Sequence, residues 1–219
     1  MLWEFFVYLQ KRVTMGYWKR FFGHLKTILT HKKWVFYYMS KMGFAWRGLF
    51  HDMSKFAPVE FFEGVKYWDG HRSPINVAKE NNGYSYAWLH HKGRNKHHYE
   101  YWVDNIDKGG IPYKMPFEYV VELVCDWLAA ATTYDEVSPG DVFVKEYYWW
   151  KTKSQTAKIH QGTKVMIDKI LWNFKEYYTN YVKDCGMNGK CAEKKTLERI
   201  KGFIKGWKHE YEHGETEIY

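Results

Sequence analysis

The stretch Gly48-Leu49-Phe50-His51-Asp52-Met53-Ser54-Lys55 decides how this chain is read. An adjacent His and Asp follow two large apolar residues, and a Lys comes three residues after the Asp. Neighbours on a helix point about 100° apart. Both side chains therefore reach one metal ion only from the inner edge of a buried face. Imidazole suits Zn, Fe, Ni and Cu, and a carboxylate adds a hard ligand that Mg and Mn accept. On its own the dipeptide is ordinary surface polarity; the surrounding chain gives it weight.

Upstream, residues 23–42 carry a helical pattern in which Leu25, Ile28, Leu29, Trp34, Val35 and Tyr38 are the apolar positions. His24 and His31 lie two turns apart on one face of it. Gly43 is a helix stop. The next helix carries Trp46, Leu49, Phe50 and the His51-Asp52 pair, and Ser54 to Pro58 breaks it. Residues 2–22 read as one or two amphipathic helices that dock on the body or lie at a membrane interface. Downstream, Val59 to Trp68 is a short helix with Pro58 near its start. Residues 69–83, rich in Gly, Asn, Pro and Ser, read as a loop.

The densest polar cluster is His90-His91-Lys92-Gly93-Arg94-Asn95-Lys96-His97-His98. Continued as a helix, it puts His91, Arg94, Asn95 and His98 on one face, although Gly93 weakens a helix there by about 1 kcal/mol. Gly109 to Pro112 is a turn. Pro116 opens a strongly apolar helix through Tyr134 whose polar residues Glu118, Glu122 and Asp126 form one stripe. That stripe faces either solvent or a polar cavity with Asp126 as a ligand. After Ser138-Pro139-Gly140 come helical patterns near 142–151, 162–183 and 192–213, with His160 as a helix-start neighbour. No strand alternation, repeat or Gly-rich phosphate loop stands out. The expected fold is all-α: a single domain over 1–219, with a core at about 20–175 and a C-terminal helical extension at about 176–219.

Of the 219 residues, 46% are hydrophobic and 21% aromatic, enough for a large core with some rings left over for a cleft or interface. The net charge of +8 fits a soluble basic protein or one with a phosphate-rich partner. The Lys residues are scattered, so the charge is compatible with nucleic acid without indicating it. Cys125 reads as a core thiol. The spacing of Cys185 and Cys191 can close a small loop, but no signal peptide is visible, so reduced thiols and a cytoplasmic location are expected. The apolar opening at 2–9 is too short for a membrane span.

The order His31, then His51-Asp52, then Cys125-Asp126-Trp127-Leu128 resembles the HD superfamily of metal-dependent phosphohydrolases. The Gly-Leu-x-His-Asp-x-Ser-Lys and His-His-Lys-Gly-Arg-Asn-Lys-His-His runs are similar to one uncharacterised branch of it. The resemblance covers roughly residues 20–175. It implies an HD-like helical core flanked by extra N- and C-terminal helices, and His31, His51, Asp52 and Asp126 as metal ligands. It also implies one or two divalent ions of the Mn, Fe, Co, Ni or Zn type. His91 and His98, helped by His97, would complete a second metal position. Lys55, Arg94 and Asn95 would face a small phosphate-containing substrate. The 20-residue gap between His31 and His51 is short for the superfamily, which keeps His24 open as first ligand; His90 and Glu122 stay open as alternatives. The implied activity is hydrolysis of a nucleotide or other small phosphate ester by metal-activated water. Its rivals are a di-iron oxygenase of a small molecule and a non-enzymatic basic binding protein. The sequence leaves the oligomeric state open.

Overall fold

The computed structural model describes residues 16–134, 137 and 140–214. The helical pattern at 2–15 and the Ser138-Pro139 break lie outside the described residues. The fold is all-α, with nine α-helices among the described residues: α1 (Tyr17–Lys41), α2 (Ala45–Phe50), α3 (Pro58–Tyr67), α4 (Pro74–Asn82), α5 (Tyr86–Arg94), α6 (Phe117–Tyr134), α7 (Asp141–Lys153), α8 (Gln161–Asp184) and α9 (Gly189–His213). No strand was expected, yet one two-residue ladder forms, with β1 (Val103–Asp104) antiparallel to β2 (Ile111–Pro112). The Gly109-Gly110 turn joins its strands, with both glycines at positive φ.

The described residues fall into two compact units, one of 16–30 with 53–91, the other of 31–52 with 92–134, 137 and 140–214. In the first, Phe21, Leu25 and Ile28 of α1 pack on Phe61 and Val65 of α3. The expected break near residue 23 does not occur, and α1 runs through Gly23. Trp68 lies against that bare backbone, where a Cβ would sit 2.3 Å from its ring, so tertiary packing offsets the helix penalty of glycine. The expected loop at 69–83 is also corrected, because it contains α4. Pro74 opens that helix and Gly83 closes it in a left-handed conformation, its N–H donating to the Lys79 carbonyl at 2.7 Å. The Pro and Gly that looked like loop residues are helix ends. Val77 and Ala78, fully buried with Tyr67, hold α4 in place.

The second unit is built around α6. Phe117, Val120, Val121, Leu123, Val124 and Leu128 are all buried, together with Val35, Tyr38 and Met39 of α1, Ile167, Ile170 and Phe174 of α8, and Ile200 of α9. Each fully buried side chain of this kind contributes roughly 1.5–3 kcal/mol, so α6 is fixed on nearly all sides. Its start is pinned by buried hydrogen bonds: the Tyr211 hydroxyl donates to the Met115 carbonyl at 2.6 Å, and the Met115 N–H donates to the Thr163 hydroxyl at 3.1 Å. Close packing also places α2. A Cβ on Gly48 would meet Met39 Cβ at 2.7 Å and the Phe36 backbone at 3.1 Å, so only glycine lets α2 lie this near α1.

The expectation of reduced thiols is corrected at one pair, since Cys185 and Cys191 form a disulfide. The turn between α8 and α9, with Gly186 and Met187 at positive φ, brings their Cα atoms to 6.0 Å, within bridging range. Cys125 is a buried free thiol, as expected. No described helix is long and apolar enough to cross a membrane.

Candidate metal centre

The His51-Asp52 pair does not ride on a helix as the periodicity predicts. α2 ends at Phe50, His51 is extended (φ −53°, ψ 135°), and Asp52 is left-handed (φ 53°). A left-handed residue other than Gly is uncommon, although Asp tolerates the conformation better than most. The kink turns both side chains to the same side, which successive residues of a regular helix do not achieve. The Lys32 Nζ donates to the His51 carbonyl and reaches the Leu49 carbonyl at 3.4 Å, so one cation satisfies the end of α2.

The structure brings His31, His51, Asp52 and Asp126 together. One ligand atom from each lies within 4.8 Å of all the others, and all four residues are buried. His31 Nε2 is 2.9 Å from Asp126 Oδ1 and 4.0 Å from Asp52 Oδ2. His51 Nε2 is 3.2 Å from Asp52 Oδ2 and 3.3 Å from Asp126 Oδ1. Two ligands at roughly 2.0–2.2 Å from one ion, at 90–110° to each other, are themselves about 3–3.5 Å apart. Three of the four spacings fall close to that interval, and the donor set of two imidazoles and two carboxylates suits a divalent transition ion.

Glu122, read as an alternative ligand, is buried with His51 and His97 in a further group whose ligand atoms lie within 4.8 Å of one another, and it also contacts the His51 ring. Its Oε1 is 3.0 Å from His51 Nδ1, the nitrogen facing away from the cluster. This contact orients the imidazole and directs Nε2 inward, the arrangement that metal-binding histidines commonly use. Arg47 holds the other carboxylate oxygen through Nη2 at 2.8 Å and Nε at 3.2 Å, and its guanidinium lies 4.2 Å from the Tyr119 ring centroid. Burial pushes the Glu122 carboxyl up, but hydrogen bonds from His51 and His97 outweigh it and hold it at about 2. Asp126 shows the same balance. Burial opposes its charge, while hydrogen bonds from His31 and His51 keep it well below the carboxylate range. Burial lowers His51, but the Asp52 charge and its hydrogen bonds raise it well above the ordinary value. Positive charge is thus favoured where three carboxylates meet.

The expected helical face over 91–98 does not form. α5 ends at Arg94, one residue after Gly93, and His98 is extended (φ −80°, ψ 127°). Glycine there and the turn at 95–98 end the helix, so His91 and His98 belong to different segments. His97 is buried, with Nε2 3.4 Å from Asp52 Oδ1, Nδ1 3.4 Å from Glu122 Oε1, and its ring 4.4 Å from that of His51. His98 is buried beside it, 4.3 Å between ring centroids. Arg94 and Asn95 line a cleft of about 510 Å³ with Trp46, Arg47, Phe50, His51, Asp52, Lys96, His97, Tyr119 and Glu122.

The remaining predicted residues belong to the other unit. Both oxygens of Glu60 are used there, Oε1 on His90 Nδ1 at 2.5 Å and Oε2 on His91 Nδ1 at 2.7 Å, while the Ser54 hydroxyl lies 3.2 Å from the same His91 nitrogen. His24 packs on Phe61 at 5.4 Å between ring centroids, and Lys55 sits half-buried in the 3-10 turn Met53–Phe56. His160 is a helix cap as expected, its Nδ1 accepting from the Gly162 N–H at 3.1 Å. Glu118, the outer member of the α6 stripe, pairs with Lys208. Lys32, Arg47 and Glu60 were missed from the sequence. Lone charges on helices carry no spacing signal that separates such roles from solvated ones.

The model of a family of unknown function, DUF5662, matches residues 20–173. No curated protein and no solved structure matches the chain.

Proposed function

The chain belongs to the DUF5662 family, which brings no activity with it, and from the site we propose a metal-dependent phosphohydrolase of the HD type acting on a small phosphate ester. The observation that carries this reading is the buried convergence of His31, His51, Asp52 and Asp126 at ligand-edge spacings beside an open, cation-bearing cleft. These four would hold one divalent ion. Asp52 Oδ1 with His97 and His98 offers donors for a second, because the ligand atoms of these three also lie within 4.8 Å of one another. Such an ion lowers the pKa of water and supplies hydroxide near neutral pH.

The chain's own residues do the rest. Glu122 fixes the direction of the His51 ring, and Arg47 fixes Glu122. Arg94 and Lys96, both exposed on the cleft, offer charge to a phosphate group, Arg94 with a fork matched to two of its oxygens. Asn95 adds a neutral polar side chain between them. The resemblance at Gly48 to Lys55 and at His90 to His98 supports the same reaction class.

Elemental analysis of the purified chain, followed by phosphate-release assays, tests this. One or two equivalents of Mn, Fe, Co, Ni or Zn are expected, removed by chelator, with release of phosphate dependent on metal and lost in Asp126→Asn. Absence of stoichiometric metal after incubation with each ion would overturn the metal site. Two irons with a mixed-valent signal, and no phosphate release, would replace hydrolysis with oxygenase chemistry.

A further inference from the structure

We propose that Trp46 and Phe50 form a stacking platform that selects phosphate esters bearing a planar aromatic group. This deepens the reading above and rests on it, since it takes the cleft beside the four ligands as the substrate site. The two rings occupy positions i and i+4 of α2, on one side of the helix. Their planes are 13° apart with centroids 6.4 Å apart, so the two rings present parallel faces. Trp46 is 76% exposed and Phe50 63% exposed. Both line the same cleft as Asp52, Arg94 and Lys96.

Two large rings held parallel and left exposed in the cleft offer faces without contributing to the core. The next two residues of the chain are His51 and Asp52, so a single seven-residue segment carries both the platform and two of the ligands. Exposed Arg94 and Lys96 line the same cleft; among the described residues neither pairs with a carboxylate, and Lys96 Nζ lies 6.0 Å from the Tyr101 ring centroid. Arg47, in contrast, is already bound to Glu122 and Tyr119. The cleft therefore offers exposed aromatic faces together with positive charge that no carboxylate neutralises, complementary to a ligand with a planar ring at one end and an anionic phosphate at the other. Stacking of a ring on an aromatic side chain corresponds to about a five- to hundredfold gain in affinity.

The test uses the full, metal-loaded chain and two probes that do not hydrolyse, phenylphosphonate and methylphosphonate, titrated by calorimetry. Phenylphosphonate is expected to bind at least about fivefold tighter. Trp46→Ala and Phe50→Ala should each move the ratio towards one, with metal content and methylphosphonate affinity unchanged; both residues are exposed, so folding is not at stake. A native ratio near one, binding of neither probe, or a preference that survives in the Trp46→Ala/Phe50→Ala double variant overturns the platform. Preference for phenylphosphonate without any phosphate release from phenyl phosphate keeps the platform and overturns the hydrolase reading instead.

Discussion

Replacing Asp52 separates two effects that this residue combines. Its carboxylate is a proposed ligand, and its backbone is left-handed at φ 53°. Asp52→Ala and Asp52→Gly both delete the carboxylate, but only Gly adopts that conformation freely. For an L-residue with a Cβ the left-handed region costs roughly 1–2 kcal/mol. The glycine variant should therefore be about 1 kcal/mol more stable than the alanine variant, or about 2–4 °C in Tm for a chain of this size. Metal acts separately. At a free concentration of 100 times Kd, an ion that binds only the folded state adds about 2.7 kcal/mol. Urea unfolding of all three proteins, in chelator and in saturating metal, reads both quantities. The native chain should gain from metal, and neither variant should gain as much. If metal raises the midpoint of Asp52→Gly as far as that of the native chain, Asp52 is not a ligand. If the two variants unfold together in chelator, the left-handed backbone stores no strain.

Three further outcomes are expected. Glu122→Gln should weaken metal affinity by about ten- to a hundredfold while keeping the fold, as loss of an orienting partner does; isothermal titration with Zn or Mn checks it, and unchanged affinity would deny Glu122 its orienting role. Gly48→Ala should destabilise by about 1–3 kcal/mol through overpacking, because its methyl would meet Met39 and the Phe36 backbone; a melting temperature equal to the native one would show that α2 and α1 separate freely. His24 is held at about 4 by burial and then by the Lys55 charge. Its folded pKa is below the ordinary 6.5, so the unfolded chain binds the extra proton first. Stability should fall as pH drops from about 6.5 towards 4, by up to about 3 kcal/mol from this group. His24→Gln should flatten that slope in chelator, and identical slopes would remove His24 as its source.

The residues that gather at the site were more legible than the backbone that gathers them. His31, His51, Asp52 and Asp126 were singled out through the resemblance, whose ligand order periodicity alone does not carry. The turn that aims His51 and Asp52 could not be read, because periodicity describes regular helices and a left-handed residue has no pattern. The α6 stripe was legible as one row, but the row does not distinguish a Glu118 paired with Lys208 from a Glu122 held by Arg47 and His51 or an Asp126 against His31; tertiary neighbours decide that. At 69–83 the same Pro and Gly fit a loop and a capped helix, and burial of Val77 and Ala78 settled the matter. Over 91–98 the positions matched a helical face, yet the helix stopped beside Gly93.

The four-residue spacing of Glu118, Glu122 and Asp126 makes α6 a ruler as well as a scaffold. Each step advances about 6 Å along the axis and stays within about 40° of the same face. Three tasks are graduated along one edge: Glu118 fastens to Lys208, Glu122 steers His51, and Asp126 reaches His31. A residue added between 118 and 126 would rotate everything beyond it by about 100°. It would uncouple the carboxylate that holds His51 from the one that holds His31 even if the core re-formed. Added length is far easier to absorb at the Gly109-Gly110 hairpin, which carries none of the three graduations. In this chain, the place that can absorb added length and the place that sets the chemistry are therefore different addresses.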